Sequence, residues 1–138
     1  MGTRRKGREA ALQILYQVEL SGNCSPTEVS NAWQALDEPP QGSRDVAEAL
    51  ATTALENAEK IDGLIDSAAD NWQLERLSRV DLSMLRIAVC EMLYFPDVPV
   101  GVVVNEAIEI AKRYSDQQSA AFVNGILDRI AGELGRRE

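Results

Sequence analysis

Four of the five residues from Arg4 to Arg8 are cationic: Arg4, Arg5, Lys6 and Arg8, with Gly7 among them. Clustered cations suit the binding of a polyanion, and arginine adds a planar fork of donors that can hold a phosphate through two hydrogen bonds. The cluster sits on an acidic chain. The 138 residues carry 14 Lys and Arg against 22 Asp and Glu, a net charge of −8. Without the four cations, 10 basic residues face 22 acidic ones, a balance of −12. Such an asymmetry needs a reason.

The cluster runs directly into an amphipathic helix. Ala11, Ile14, Leu15 and Val18 follow the i, i+3, i+4, i+7 spacing of one helix face. Cations in a first helical turn oppose the macrodipole and typically cost a few tenths of a kcal/mol each. Local preference and charge therefore disagree, as they tend to at functional sites. The competing reading is a solvated terminus with no role. On a helical wheel Tyr16 lies about 150° from the apolar stripe, with Arg5 within ~20° of it and Leu12 and Glu9 nearby. An aromatic beside arginines suits stacking of a single-stranded RNA base. A second helix interface burying Leu12 and Tyr16 fits the same geometry. Phe122 lies ~95° off the stripe of its own helix, where it serves either as a stacking platform or as a core contact.

Other chemistry is poorly supplied. The chain has no histidine, which removes the commonest general base and metal ligand. There is no GxGxxG, no Gly-Lys-Ser/Thr phosphate loop and no Cys/His metal set. Glu106 and Glu109 could present two carboxylates, but a solvated face pairing with Lys112 and Arg113 accounts for them. We expect no catalytic residue, no cofactor and no metal. Cys24 and Cys90 form no CxxC and are expected to be free thiols. No apolar run reaches the roughly 18 residues of a membrane span, and no signal-peptide h-region follows the basic start. The expectation is a cytoplasmic protein without a membrane partner.

The elements that position these residues read as helical throughout. Gly22 stands where helix one would be capped. A second helix opens near Ser25–Pro26–Thr27 and carries Val29, Trp33 and Leu36; "DEPPQGS" is a loop. Ser43 can cap a third segment whose stripe is Ala47, Leu50, Ala54, Leu55, Ala58, Ile61 and Ile65. That segment, running to Trp72, is long for one helix, and Asp62–Gly63 is the expected break. Ser78 opens the next helix with Asp81 three residues on, close to a capping box. Leu82, Leu85, Val89, Met92 and Leu93 follow, and "FPDVP" ends it. Val102 to Tyr114 and Ser119 to Leu134 are the last two. The expected fold is all-α, with six or seven helices in two packed bundles of about three each. It forms one domain over residues 1–138, with an N-terminal subdomain of residues 1–72 and a C-terminal one of 73–138.

"RRKGREAALQILYQVELSG", "DLSMLRIAVCEML", "PDVPVGVVVNEAIEIAKRYS" and "SAAFVNGILDRIA" together resemble the bacterial transcription antitermination factor NusB family, in order along almost the whole chain. The resemblance implies two helical bundles and no catalytic activity. It implies binding to the boxA element of ribosomal RNA leaders together with a small-subunit ribosomal protein, NusE, within an RNA polymerase antitermination complex. It assigns Arg4, Arg5, Lys6 and Arg8 to RNA, with Tyr16, Gln118 and Phe122 at the RNA surface. It assigns Asp81 to the basic ribosomal partner. Gly101 and Ala121 stand where the family usually has a cation. Some relatives are dimers that bury the RNA surface and others are monomers, so a homodimer stays open. Two other readings compete. One is the NusB-like RNA-binding domain of an RNA cytosine-5 methyltransferase, which would need a Rossmann-like cofactor domain and a reactive Cys that this sequence is expected to lack. The other is a protein-interaction bundle in which the basic start has no part.

Overall fold

The computed structural model describes residues 3–22, 26–35, 42–69, 78–115 and 117–135. Among these residues the secondary structure is helical, with α1 Thr3–Ser21, α2 Pro26–Ala35, α3 Ser43–Glu56, α4 Ala58–Ala69, α5 Arg79–Tyr94, α6 Val100–Tyr114 and α7 Gln117–Glu133. The all-α expectation holds, with seven helices among the described residues. Two compact units contain them, Met1–Glu56 and Asn57–Glu138.

Local chemistry ends and starts these helices where short-range rules predict. Gly22 adopts φ 71° and donates to the Val18 and Glu19 carbonyls at 3.1 and 3.2 Å, closing α1. Ser78 caps α5, its hydroxyl accepting the Asp81 amide at 3.0 Å. Three boundaries differ from expectation. The capping position of α3 falls on Gly42, whose carbonyl accepts from the Val46 amide at 3.4 Å, while Ser43 is fully buried as the first helical residue. The expected break at Asp62–Gly63 lies instead at Asn57, whose carbonyl takes the first bond of α4 from Ile61 at 3.0 Å. Gly63 lies inside α4 on an exposed side, where it costs about 1 kcal/mol against Ala but breaks nothing. The helix expected from Val102 opens two residues earlier, at Val100: Pro99 heads α6, and its carbonyl accepts from both Val102 and Val103.

In the first unit α1 packs on α3 and α2. Ala11, Ile14, Leu15 and Val18 are buried, as their spacing requires, along with Ala32, Ala47, Leu50, Ala51 and Ala54. Gly7 sets the approach of α1 to α3. A Cβ there would lie 2.6 Å from both Cβ and Cγ1 of Val46 and 3.1 Å from the Ser43 carbonyl. Arg44 covers the Trp33 ring at 4.6 Å, tying α3 to α2.

In the second unit α5 contacts α4, α6 and α7, and α7 also contacts α4 and α6. Met84, Leu85, Ile87, Val89 and Met92 of α5 meet a core that includes Ile61, Ile65, Val103, Ile110, Val123, Leu127 and Ile130. Arg86 holds Asp62 through two bonds, Nε to Oδ1 at 2.8 Å and a terminal nitrogen to Oδ2 at 2.9 Å. α4 therefore belongs with α5 and α7, and the units divide at residues 56 and 57, where the sequence placed the division at 72 and 73. The Ile61 and Ile65 stripe has the same period as the stripe of α3. Periodicity could not tell which bundle buries it.

Cys90 is a free thiol in the interior of α5; Cys24 lies outside the described residues. Burial, and after it the charge of Glu91, pushes the Cys90 thiol from 9.0 up to about 12. The folded protein thus keeps this proton where the unfolded chain loses it. The resulting stability is fully present below about pH 9 and is lost as the pH rises toward about 12. Urea midpoints measured from pH 8 to 11 should fall above about 9, with a shallower fall in Cys90→Ala.

Candidate nucleic-acid interface

The basic start is helical from Thr3, so its side chains have fixed directions. Arg4 and Lys6 are exposed and Arg5 is half-buried. Arg8 is different: it is 3% exposed and engaged in interactions within the protein. Its register, one turn further into the helix than the exposed Arg4, agrees with this. Arg8 stands three residues before Ala11 and seven before Leu15, in line with the buried stripe. Its side chain is thus more enclosed than those of Arg4, Arg5 and Lys6. Glu9 is buried as well, at 7%.

Tyr16 is half-buried and shares an open, solvent-facing side of α1 with Gln13, Gln17, Leu20 and Ser21. Leu12 is buried. The two readings of this side of α1 thus divide between neighbours: Leu12 goes into the interior, and Tyr16 keeps an accessible flank. Gln13, Tyr16, Gln17 and Leu20 have the same i, i+3, i+4, i+7 spacing as the core stripe, on the opposite side. That pattern was present in the sequence, but two glutamines hide it from a search for apolar residues.

In the second unit Gln118 is exposed and Phe122 is half-buried and engaged within the protein. Ala121 is exposed beside Phe122, and a side chain at Gly101 would meet open space. The two missing cations thus leave uncharged positions that could hold them without a clash.

Asp81, assigned by resemblance to a basic partner, is 6% exposed. Its Oδ1 accepts from the Ser115 hydroxyl at 3.2 Å and its Oδ2 from the Ser119 hydroxyl at 2.9 Å. Ser115 caps the end of α6 and Ser119 lies in the first turn of α7. One carboxylate thus pins three helix ends and brackets the chain on both sides of Gln118. It also lies in the first turn of α5, where the macrodipole favours a negative charge. Two hydroxyls and a helix end thus stabilise the carboxylate within the second unit. Asp81→Ala would leave two hydroxyls without this acceptor and should cost about 1–3 kcal/mol, read as a lower urea midpoint. Asp81→Asn keeps one acceptor oxygen and should lose less.

Glu109 pairs with Lys112 at 3.6 Å on the exposed face of α6, as the sequence reading expected. Arg113 stands 5.9 Å from the Tyr114 ring. Among the described residues no group of three or more Cys, Asp or Glu is arranged to hold a metal, and no helix is long and apolar enough to cross a membrane.

Known proteins give these features a context. The chain is 45% identical over 136 residues to the transcription antitermination protein NusB of Sorangium cellulosum (strain So ce56), covering 99% of this chain and 96% of that one. It is 40% identical over 139 residues to that of Myxococcus xanthus (strain DK1622), covering 99% of each. Among solved structures, T. maritima NusB superposes with a TM-score of 0.80 at 39% identity, covering 94% of this chain and 91% of that one. A crystal structure of antitermination factors NusB and NusE in complex with dsRNA matches with a TM-score of 0.81 at 25% identity, covering 95% and 97%. The profile of the NusB family spans residues 5–132, from the cationic start of α1 to the end of α7. With sequence, helix order and extent in agreement, the chain belongs to the NusB family.

Proposed function

We propose that this protein is a non-enzymatic transcription antitermination factor that binds boxA-type RNA. In this reading it acts with a small-subunit ribosomal protein, NusE, in a complex on RNA polymerase. The observation that carries the reading is the 45% identity to a transcription antitermination protein along nearly the full length of both chains. The exposed cations Arg4 and Lys6, at the head of a helix on a protein of net charge −8, support the RNA part. The solved complex of NusB and NusE with dsRNA supports both partners.

Charge explains the division of labour. The basic start meets phosphate, and the acidic remainder of the chain suits a basic protein partner. Tyr16, Gln118 and Phe122 supply aromatic and amide groups to bases. Asp81 faces the basic partner protein, and its bonds to Ser115 and Ser119 fix the chain on both sides of Gln118. Arg8 acts from inside the bundle, holding the turn that carries Arg4, Arg5 and Lys6. With uncharged Gly101 and Ala121, the chain alone binds weakly and depends on its partner.

The test is fluorescence anisotropy of a labelled boxA-type RNA. It is titrated with the protein alone and then with the protein plus NusE, at two salt concentrations. The expected result is salt-sensitive binding that tightens with NusE. Absence of binding in both titrations would refute the reading. A homodimer that covers α1 and Phe122 would compete with RNA, so sedimentation should show any dimer dissociating as RNA is added.

A further inference from the structure

The Asp81 carboxylate joins α5, α6 and α7 at one point of the second unit. Oδ2 accepts from the Ser119 hydroxyl at 2.9 Å, and Oδ1 from the Ser115 hydroxyl at 3.2 Å. Ser78 fixes the backbone of the same residue, its hydroxyl accepting the Asp81 amide at 3.0 Å. An ionised carboxylate offers about four acceptor sites, and the two hydroxyls take one on each oxygen. The Ser115 bond is long for a hydroxyl donor, whose bonds centre near roughly 2.8 Å, so Oδ1 is the less committed oxygen. Asp81 is 6% exposed, so its spare capacity meets solvent along one narrow edge. A cation of a basic protein that reaches this edge gains a charge-assisted bond.

The two hydroxyls stand on either side of the turn that carries Gln118. Ser115 caps the end of α6, and Ser119 lies in the first turn of α7, which opens at Gln117. Gln118 is exposed on that turn. With both bonds formed, the end of α6 and the start of α7 share one anchor, and Gln118 is held between them. The same bonds fix the rotamer of Asp81 and so aim its open edge. One state of the cluster is therefore the better receptor for two ligands, a cation at Asp81 and RNA at Gln118. Ligands that prefer the same state strengthen each other, by an equal factor in both directions.

We propose that the Asp81, Ser115 and Ser119 cluster is a coupling element, through which a basic protein docked at Asp81 and RNA docked at Gln118 tighten each other's binding. This rests on the RNA and partner reading above and assigns its coupling to named side chains.

The test uses the full chain, a labelled boxA-type RNA and NusE. Anisotropy gives the RNA affinity with and without saturating NusE, and the ratio is the coupling factor. Couplings between sites are typically about 5- to 150-fold, and the parent should fall in that range. Ser115→Ala with Ser119→Ala should weaken RNA binding to the chain alone by about 2- to 10-fold, the worth of a hydrogen bond. The coupling factor should fall several-fold as well. Contacts that NusE itself makes to RNA are the same for both proteins and cancel in this comparison. The same fall should appear when NusE affinity is measured with and without RNA. Thr at both positions keeps the hydroxyls and should restore the parent's factor. If the double variant does not fold by far-UV circular dichroism, Ser115→Ala, which loses only the longer bond, is read in the same way. A purely structural role would lower the urea midpoint and leave the coupling factor unchanged, and that result would overturn the inference. RNA and partner binding would then stand, with their coupling carried elsewhere. A parent that binds neither RNA nor NusE would sink the underlying reading itself.

Discussion

Replacing Arg4, Arg5 and Lys6 together by Gln should weaken boxA-type RNA binding by about 10- to 100-fold at low salt, as three phosphate contacts are lost. The plot of log K against log salt should flatten by roughly 2, since each phosphate neutralised on a single strand contributes about 0.7 to its slope. Stability should move the other way. All three cations lie in the first turns of α1, where the macrodipole disfavours positive charge. Arg4→Gln with Lys6→Gln should leave the urea midpoint unchanged or raise it slightly, by a few tenths of a kcal/mol per charge, whereas Arg5 is half-buried and engaged, so its loss should offset part of that gain. Affinity and stability with opposite signs would identify residues kept for binding. Arg8→Gln should give the converse pattern. That group is buried and engaged, so its loss should lower stability and leave the salt slope close to the parent's. Equal flattening by Arg8→Gln would contradict the division drawn here.

Gly7→Ala should destabilise the first unit although alanine is the better helix former. Propensity favours the change by about 1 kcal/mol. Against it stands a Cβ placed 2.6 Å from Val46 Cβ and Cγ1. Cγ1 can rotate away, but a Cβ is fixed to its backbone, so α1 must move off α3. Overpacking of this kind costs about 1–3 kcal/mol, and the net effect should be a loss of up to about 2 kcal/mol. Gly7→Leu should lose more, with a broadened or incomplete transition. Val46→Gly in the Gly7→Ala background removes the obstructing Cβ and should recover packing, measured as the coupling in a double-mutant cycle of urea midpoints. Because Gly7 sits among the cations, Gly7→Leu should also weaken RNA binding without changing any charge. A Gly7→Ala protein as stable as the parent would show that the α1 and α3 contact is slack.

The helices were legible because their causes are local. The i, i+3, i+4 spacing of apolar residues, the left-handed Gly22 and the Ser78 cap act within a turn or two. The cationic start and the motifs of the NusB family were legible for the same reason, as short runs of residue types. The burial of Arg8 was legible in part, since its register with Ala11 and Leu15 is in the sequence.

What only the tertiary structure decided is where long-range neighbours fall. Asp81 meets hydroxyls 34 and 38 residues away, and no local pattern separates a carboxylate taken by them from one offered to a partner. The period that marks Ile61 and Ile65 as buried does not say that α5 and α7 bury them. Helix formation is set by neighbours in the chain, so sequence determined the elements and the chemistry they carry. Exposure is set by what packs on each face, so only the folded protein decided which of those groups can reach a ligand.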